Sequence, residues 1–181
     1  MGKKLKILFA NIPTPGNRFV LDLKEGLEQY GNVIWDHQEF WNMKSEYDII
    51  HIHWPEYLSF ELESYLYKPS ESIPNEIWDK TINCLEYWSK NAKIIYTRHV
   101  QYPHTRHDDE FLKLYKAVAS YCDTIVHFAN YSIQQFKKWY PDLEHIKHVV
   151  IPHHNYASLP NDSTKQEARD YLNIDSGTKV M

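Results

Sequence analysis

Histidine is the side chain whose charge changes nearest neutral pH, and it serves equally as acid, base, metal ligand or hydrogen-bond partner. Eight of the eleven histidines of this chain lie in, or just beyond, four short apolar segments. These are Ile50-His51-Ile52-His53-Trp54, Tyr96-Thr97-Arg98-His99, Val126-His127 and Ile151-Pro152-His153-His154, with His104 and His107 in the loop after Arg98-His99. His51 and His53 stand two apart, so on a strand their side chains share one face. Such a pair suits two ligands of a metal-dependent hydrolase, and equally two groups lining a binding groove; a metal site also needs a third ligand, which the sequence does not identify. Trp54 beside them suits stacking on a sugar ring or closing the apolar end of a sheet. Arg98, His104, Arg106 and His107 gather positive capacity in one stretch, as a phosphate-bearing or acidic ligand would require and as an ordinary solvated loop also allows.

The elements that carry these residues alternate. Residues 5–10 read as a buried strand, followed by a Pro/Gly loop over 11–17 and a helix over 18–30 that places Phe19, Val20, Leu23 and Leu27 on one face, with Gly31 as its stop. Strands are expected at 32–36 and 48–53, helical character at 58–68, a helix at 75–90 after Pro74, and a strand at 93–97. Asp108 reads as the N-cap of the next helix, 124–128 as a strand, Ser132 with Gln135 as a capping box ahead of Phe136 and Tyr140, and 149–151 as a sixth strand. Near-continuous apolar strands alternating with helices imply an α/β, Rossmann-like doubly wound domain: a mostly parallel sheet of about six or seven strands with helices on both faces. In such a sheet, ligands bind outside the carboxyl ends of the strands, where the histidine segments fall.

Length and composition narrow the function classes. At 181 residues and 43% hydrophobic content the chain has material for one full-sized core, and a net charge of -4 without a basic run gives no general attraction to nucleic acid. Aromatic residues reach 15%, more than such a core requires, which suits a surface that meets sugars, partners or lipid headgroups. Cys84 and Cys122 stand alone and far apart, so neither a disulfide framework nor a zinc knuckle is expected, and the chain reads as reduced and cytoplasmic. The first apolar run is too short for a signal core or a membrane span, and Lys6 at position six argues against myristoylation. Phe136-Lys137-Lys138-Trp139-Tyr140 mixes basic and aromatic side chains, leaving either peripheral contact with the inner membrane face or a plain surface helix with Phe136 in the core. Near the end of the sequence, Ser163 with Gln166 reads as the start of a short helix, and 179–181 as the first residues of a further strand, which would place a domain boundary here. Residues 1–160 are therefore assigned to one Rossmann-like domain and 161–181 to a linker helix and the start of another.

Several of these stretches together resemble the amino-terminal half of GT-B fold glycosyltransferases of the retaining family 4. They are Lys6-Ile7-Leu8-Phe9, Asp48-Ile49-Ile50-His51-Ile52-His53-Trp54-Pro55-Glu56, Ile94-Ile95-Tyr96-Thr97-Arg98-His99, Asp123-Thr124-Ile125-Val126-His127, Val149-Val150-Ile151-Pro152-His153-His154-Asn155-Tyr156, and Glu167-Ala168-Arg169 with Leu172. The resemblance spans nearly the whole chain. It implies an acceptor-binding domain of a hexosyltransferase that moves a sugar from a nucleotide-sugar donor to a saccharide or lipid-linked acceptor with retention, in surface polysaccharide synthesis. The donor is a substrate, and the resemblance implies no metal and no other cofactor. By matching position His99 would face the transferred sugar as the catalytic residue, while His51, His53, Trp54, Arg98, His104, Arg106 and His107 would serve the acceptor and His127, His153 and His154 would line the cleft.

The family's paired glycines in the first loop are reduced here to Gly16, beside Asn17, so the donor-facing role of these two residues competes with a simple turn. The missing Gly-x-Gly-x-x-Gly also speaks against a nicotinamide-binding protein. The family's spaced glutamate pair belongs to a second domain, so residues 1–181 alone are expected to be inactive, because transfer requires both substrates held in near-attack geometry. The metal-dependent hydrolase on His51 and His53 and a stand-alone Rossmann-like binding module remain as alternatives. A second domain encoded beyond Met181 would favour the transferase, and bound zinc, manganese or iron the hydrolase.

Overall fold

A computed structural model of the chain describes residues 4–155, 160 and 162–180. Six strands, β1 (Leu5–Phe9), β2 (Gly31–Trp35), β3 (Ile49–Ile52), β4 (Lys93–Thr97), β5 (Thr124–His127) and β6 (Lys147–Val150), form one sheet in the order β2-β1-β3-β4-β5-β6. Every neighbouring pair is parallel. The connections carry α1 (Arg18–Glu28), α2 (His37–Asn42), α3 (Phe60–Ser64), α4 (Asn75–Asn91), α5 (Asp109–Ser120) and α6 (Asn130–Trp139), and α7 (Lys165–Tyr171) follows the sheet. The expected doubly wound α/β fold is the observed one.

Strand order decides which face each helix covers. Crossovers between parallel strands are right-handed, so the helix side reverses when the chain reverses its direction across the sheet. Among the described residues only the step from β1 to β2 runs one way, and α1 is the helix on that face, where Phe19 and Val20 meet Ile7, Phe9 and Val33. The other steps run the opposite way, and α2 to α6 bury Phe40, Leu62, Leu85, Trp88, Leu114 and Phe136 against Leu8, Ile50, Ile52, Ile94 and Ile125. The reversal falls between β1 and β3, the switch point at which open α/β sheets bind ligands.

Several local expectations are corrected. Gly31 is not a helix stop but the first residue of β2, where a Cβ would lie 2.5 Å from the Leu5 carbonyl oxygen. Residues 37–42 form α2, capped by Asp36, whose carboxylate accepts from the Gln38 amide at 2.8 Å. The stretch 58–68 breaks into a 3-10 turn at Pro55–Leu58, α3 and a second 3-10 turn at Tyr65–Tyr67. Ser132 does not cap α6, which begins at Asn130, and α7 is capped by Thr164 with Glu167 rather than by Ser163 with Gln166. Of the expected strand start at 179–181, Met181 lies outside the described residues; α7 buries none of its residues. Cys84 and Cys122 are buried free thiols. No helix among the described residues is long and apolar enough to cross a membrane.

Candidate functional site

At the switch point the chain leaves β1 through Asn11, which ties three strand ends together. Its Oδ1 accepts from the His53 amide at 2.7 Å, its Nδ2 donates to the Trp54 carbonyl at 2.6 Å, and its own carbonyl accepts from the Trp35 indole at 3.0 Å. Asn11 thereby fixes the backbone at which His53 and Trp54 leave β3.

The side chains of His51 and His53 lie on the α1 face with their rings stacked at 4.4 Å. His51 Nε2 shares a hydrogen bond of 2.8 Å with Thr97 Oγ1. His53 Nδ1 lies 3.1 Å from Nε2 of His99, which β4 delivers to the same face. The other nitrogen of His53, Nε2, is buried without a partner. That orphan indicates the tautomer. Buried unpaired N–H groups are rarer and costlier than unpaired acceptors, so the proton sits on Nδ1 of His53 and is donated to His99, leaving Nδ1–H of His99 to donate elsewhere. The His99 ring is clamped by Trp54, stacked at 4.1 Å and 22°, and by the edges of Phe19 and Phe128 at 5.0 and 5.1 Å.

Burial holds these histidines neutral. It lowers His51 to about 4 and His99 to about 3, with the nearby His51 and His153 adding to the shift of His99, and it holds His53 well below the usual histidine range. The site is therefore a cluster of neutral imidazoles able to give and accept hydrogen bonds, not a cationic patch. Phe19 of α1 joins His153 and His154 to it at 4.7 and 5.1 Å, and His154 Nε2 reaches Asp22 at 3.3 Å. Beside them an apolar groove of about 360 Å³ runs between α1 and the ends of β5 and β6, lined by Leu23, Leu27, Thr97, Val126 and Ile151. No group of three or more His, Cys, Asp or Glu among the described residues could hold a metal ion.

The remaining sequence candidates separate from this cluster. His127 is fully buried on the opposite face, bonded through Nδ1 to Ser132 Oγ at 2.8 Å and through Nε2 to His148 at 3.0 Å, so it does not line a cleft with His99; burial lowers it to about 3. Arg98 also points to that face, donating from Nη1 to Ser132 Oγ at 2.8 Å, with its guanidinium over the Phe136 ring. Arg106, expected at an acceptor, is instead a brace: it is 6% exposed and bonds the carbonyls of Tyr65, Lys68 and Glu71 and the carboxylate of Asp108. His107 is exposed beside Tyr102, and His104 is exposed at the rim of a second cleft. Gly16 has open space around its Cβ position, and Asn17 is the N-cap of α1, so a turn and a cap account for both.

That second cleft, about 390 Å³, has Trp54 in its wall. It is lined by Thr14 and Asn17 from the first loop, Trp54, Glu56 and Tyr57 after β3, Glu63 and Leu66 beyond, and Pro103, His104 and Thr105 after β4. Glu56 is 3% exposed and accepts from the Tyr115 hydroxyl at 2.7 Å, and burial raises its carboxyl to about 7. Sequence alone does not single out Asn11, Thr97, Glu56 or Phe19. Asn11 and Thr97 sit at strand ends like the histidines, which was the available signal. Comparison with family models, with curated proteins and with solved structures finds no match to this chain.

Proposed function

We propose that this chain is the acceptor-binding half of a retaining glycosyltransferase of the GT-B type, which transfers a hexose from a nucleotide sugar to a saccharide or lipid-linked acceptor. Transfer would also require a donor-binding domain, because both substrates must be held in near-attack geometry. The observation that carries the reading is His99. It stands half-buried at the carboxyl end of β4 beside the switch point, held by Trp54, Phe19, Phe128 and the His53 hydrogen bond. A neutral imidazole fixed in this way suits a sugar hydroxyl, and its pre-set orientation is what differential binding of a transition state requires. No metal enters this reading, and surface polysaccharide synthesis in the cytoplasm is its cellular setting.

The test is transfer from a panel of nucleotide sugars by the full-length gene product, with acceptors drawn from surface polysaccharide fragments. His99→Ala is expected to lower kcat/KM by about a hundredfold, the scale of one lost transition-state hydrogen bond in a water-poor site, with the fold intact. Absence of turnover with every donor, or full activity in the variant, would overturn the reading.

A further inference from the structure

The cleft behind Trp54 has a lining unlike that of the histidine cluster. Its polar residues are Glu56, Glu63, Thr14, Thr105, Asn17 and His104, and its aromatic walls are Trp54 and Tyr57; among the described residues neither Lys nor Arg lines it. We infer that this cleft is a subsite for a hydroxyl-rich saccharide that carries no anionic group, with Glu56 accepting hydrogen bonds from its hydroxyls. The inference rests on the transferase reading and names the acceptor's chemical class at this subsite.

Glu56 is the central observation. A carboxylate can accept about four hydrogen bonds. Among the described residues Glu56 accepts from the Tyr115 hydroxyl and its own backbone amide, and no Lys or Arg is bonded to it. A carboxyl group 3% exposed with acceptor capacity left over, in the wall of a cleft, is matched by a ligand that brings donors. Sugar hydroxyls are such donors. A phosphate or uronate would bring further acceptors and negative charge against Glu56 and Glu63, which like-charge repulsion opposes. The aromatic walls suit the apolar face of a pyranose ring. Placement agrees as well: Trp54 stacks on His99 and also lines the cleft, so a saccharide there lies one aromatic ring from the histidine assigned to the donor sugar.

The backbone holds the cleft open in a fixed shape. Asn11 anchors Trp54, the Ile12 amide donates to the Tyr57 carbonyl at 2.8 Å, and Tyr57 closes the 3-10 turn onto the Trp54 carbonyl at 3.0 Å. The first loop and the turn after β3 are thus joined across the site, and a ligand meets a preformed wall.

The experiment titrates the isotopically labelled 181-residue chain at about pH 8.5, where Glu56 is ionised, with the methyl glycosides of glucose, galactose, mannose and N-acetylglucosamine, and separately with glucose 1-phosphate, following the Trp54 indole resonance. At least one neutral glycoside is expected to shift it, and Glu56→Gln to weaken that binding roughly ten- to hundredfold, the loss of a charge-assisted hydrogen bond. Thr105→Trp, an exposed rim substitution that fills the cleft without touching the core, is expected to abolish the shift. The inference is overturned if no neutral glycoside shifts Trp54, if glucose 1-phosphate binds as tightly, or if both variants bind like the native chain. The two readings fail separately. Full-length protein that transfers sugar undiminished in Glu56→Gln would remove the subsite and keep the transferase, whereas glycoside binding without turnover of any nucleotide sugar would do the reverse.

Discussion

Acidification from pH 7 to pH 5 is expected to weaken this domain sharply, through groups that lie in and around the site. In the unfolded chain each histidine takes up its proton near pH 6.5, whereas in the folded protein His51 does so near 4 and His99 and His127 near 3. Between those values the unfolded state binds more protons. The stability these groups contribute is therefore present above pH 6.5 and is lost as pH falls toward the folded-state values. At pH 5 the loss relative to pH 7 is about 2 kcal/mol for each of the three. His53, also depressed by burial, acts in the same direction. Glu56 opposes them. Its carboxyl protonates near 7 when folded against 4.5 when unfolded, so the folded state holds the extra proton through this window and gains about 2 kcal/mol as pH falls to 5.

The net loss is about 3–4 kcal/mol before His53 is included, a large part of the roughly 5–15 kcal/mol that holds a domain together. Urea unfolding followed by far-ultraviolet circular dichroism at intervals between pH 7 and pH 5 measures it. Unfolding near pH 5.5 should take up about two to three protons net, read from the slope of stability against pH. Glu56→Gln removes the opposing group and should steepen that slope by about one proton. A stability that stays flat from pH 7 to 5, or a slope equivalent to less than one proton, would refute the burial of these histidines as neutral groups.

Three further substitutions test the packing that positions the site. Gly31→Ala places a methyl group against the Leu5 carbonyl at 2.5 Å, so β1 and β2 must separate locally; urea unfolding should show a loss of about 1–3 kcal/mol. Arg106→Lys keeps the charge but loses the planar fork that reaches three carbonyls, and it should destabilise by about 2 kcal/mol or more in the same assay, whereas an acceptor-binding Arg106 would leave stability unchanged. Ser132→Ala removes the hydroxyl shared by Arg98 and His127, leaving two buried groups short of a partner, and should cost about 1–3 kcal/mol without affecting glycoside binding at Trp54.

Strands were the most legible elements, for a physical reason. A parallel strand covered on both faces is an unbroken apolar run, and 93–97 appears in the sequence with the bounds it has in the fold. Asp108 likewise caps α5 as read, its carboxylate accepting from the Phe111 amide at 3.2 Å. Helix starts misled where two hydroxyl residues competed or where tertiary structure claimed one. Thr164 rather than its neighbour Ser163 makes the capping box of α7. Ser132 has the spacing of a cap, yet its hydroxyl binds Arg98 and His127, partners 34 and 5 residues away. At six residues, α2 is too short to establish a helical period, so only its Asp36 cap could have announced it.

The site was half legible, and strand alternation explains the division. Read along the chain, Thr97, Arg98, His99 and His127 form one polar collection, but successive residues of a strand face opposite sides of the sheet. Thr97 and His99 therefore join His51 and His53 on the α1 face, while Arg98 falls with His127 and Ser132 on the other. Positive charge that the sequence seems to offer to one ligand is thus divided between two faces, and Arg106 is withdrawn from ligands altogether by the carbonyls it holds. What remains at the switch point is neutral imidazole, aromatic surface and, behind Trp54, carboxylate. Glu56 was hidden because its neighbours Pro55 and Leu58 make it look like an accidental polar residue in an apolar turn, and only the fold shows that it is buried in the wall of a cleft. A ligand in contact with both His99 and Glu56 would meet hydrogen-bonding groups without a single fixed positive charge, which favours an uncharged polyol over the phosphate-bearing acceptor that the basic stretch suggested.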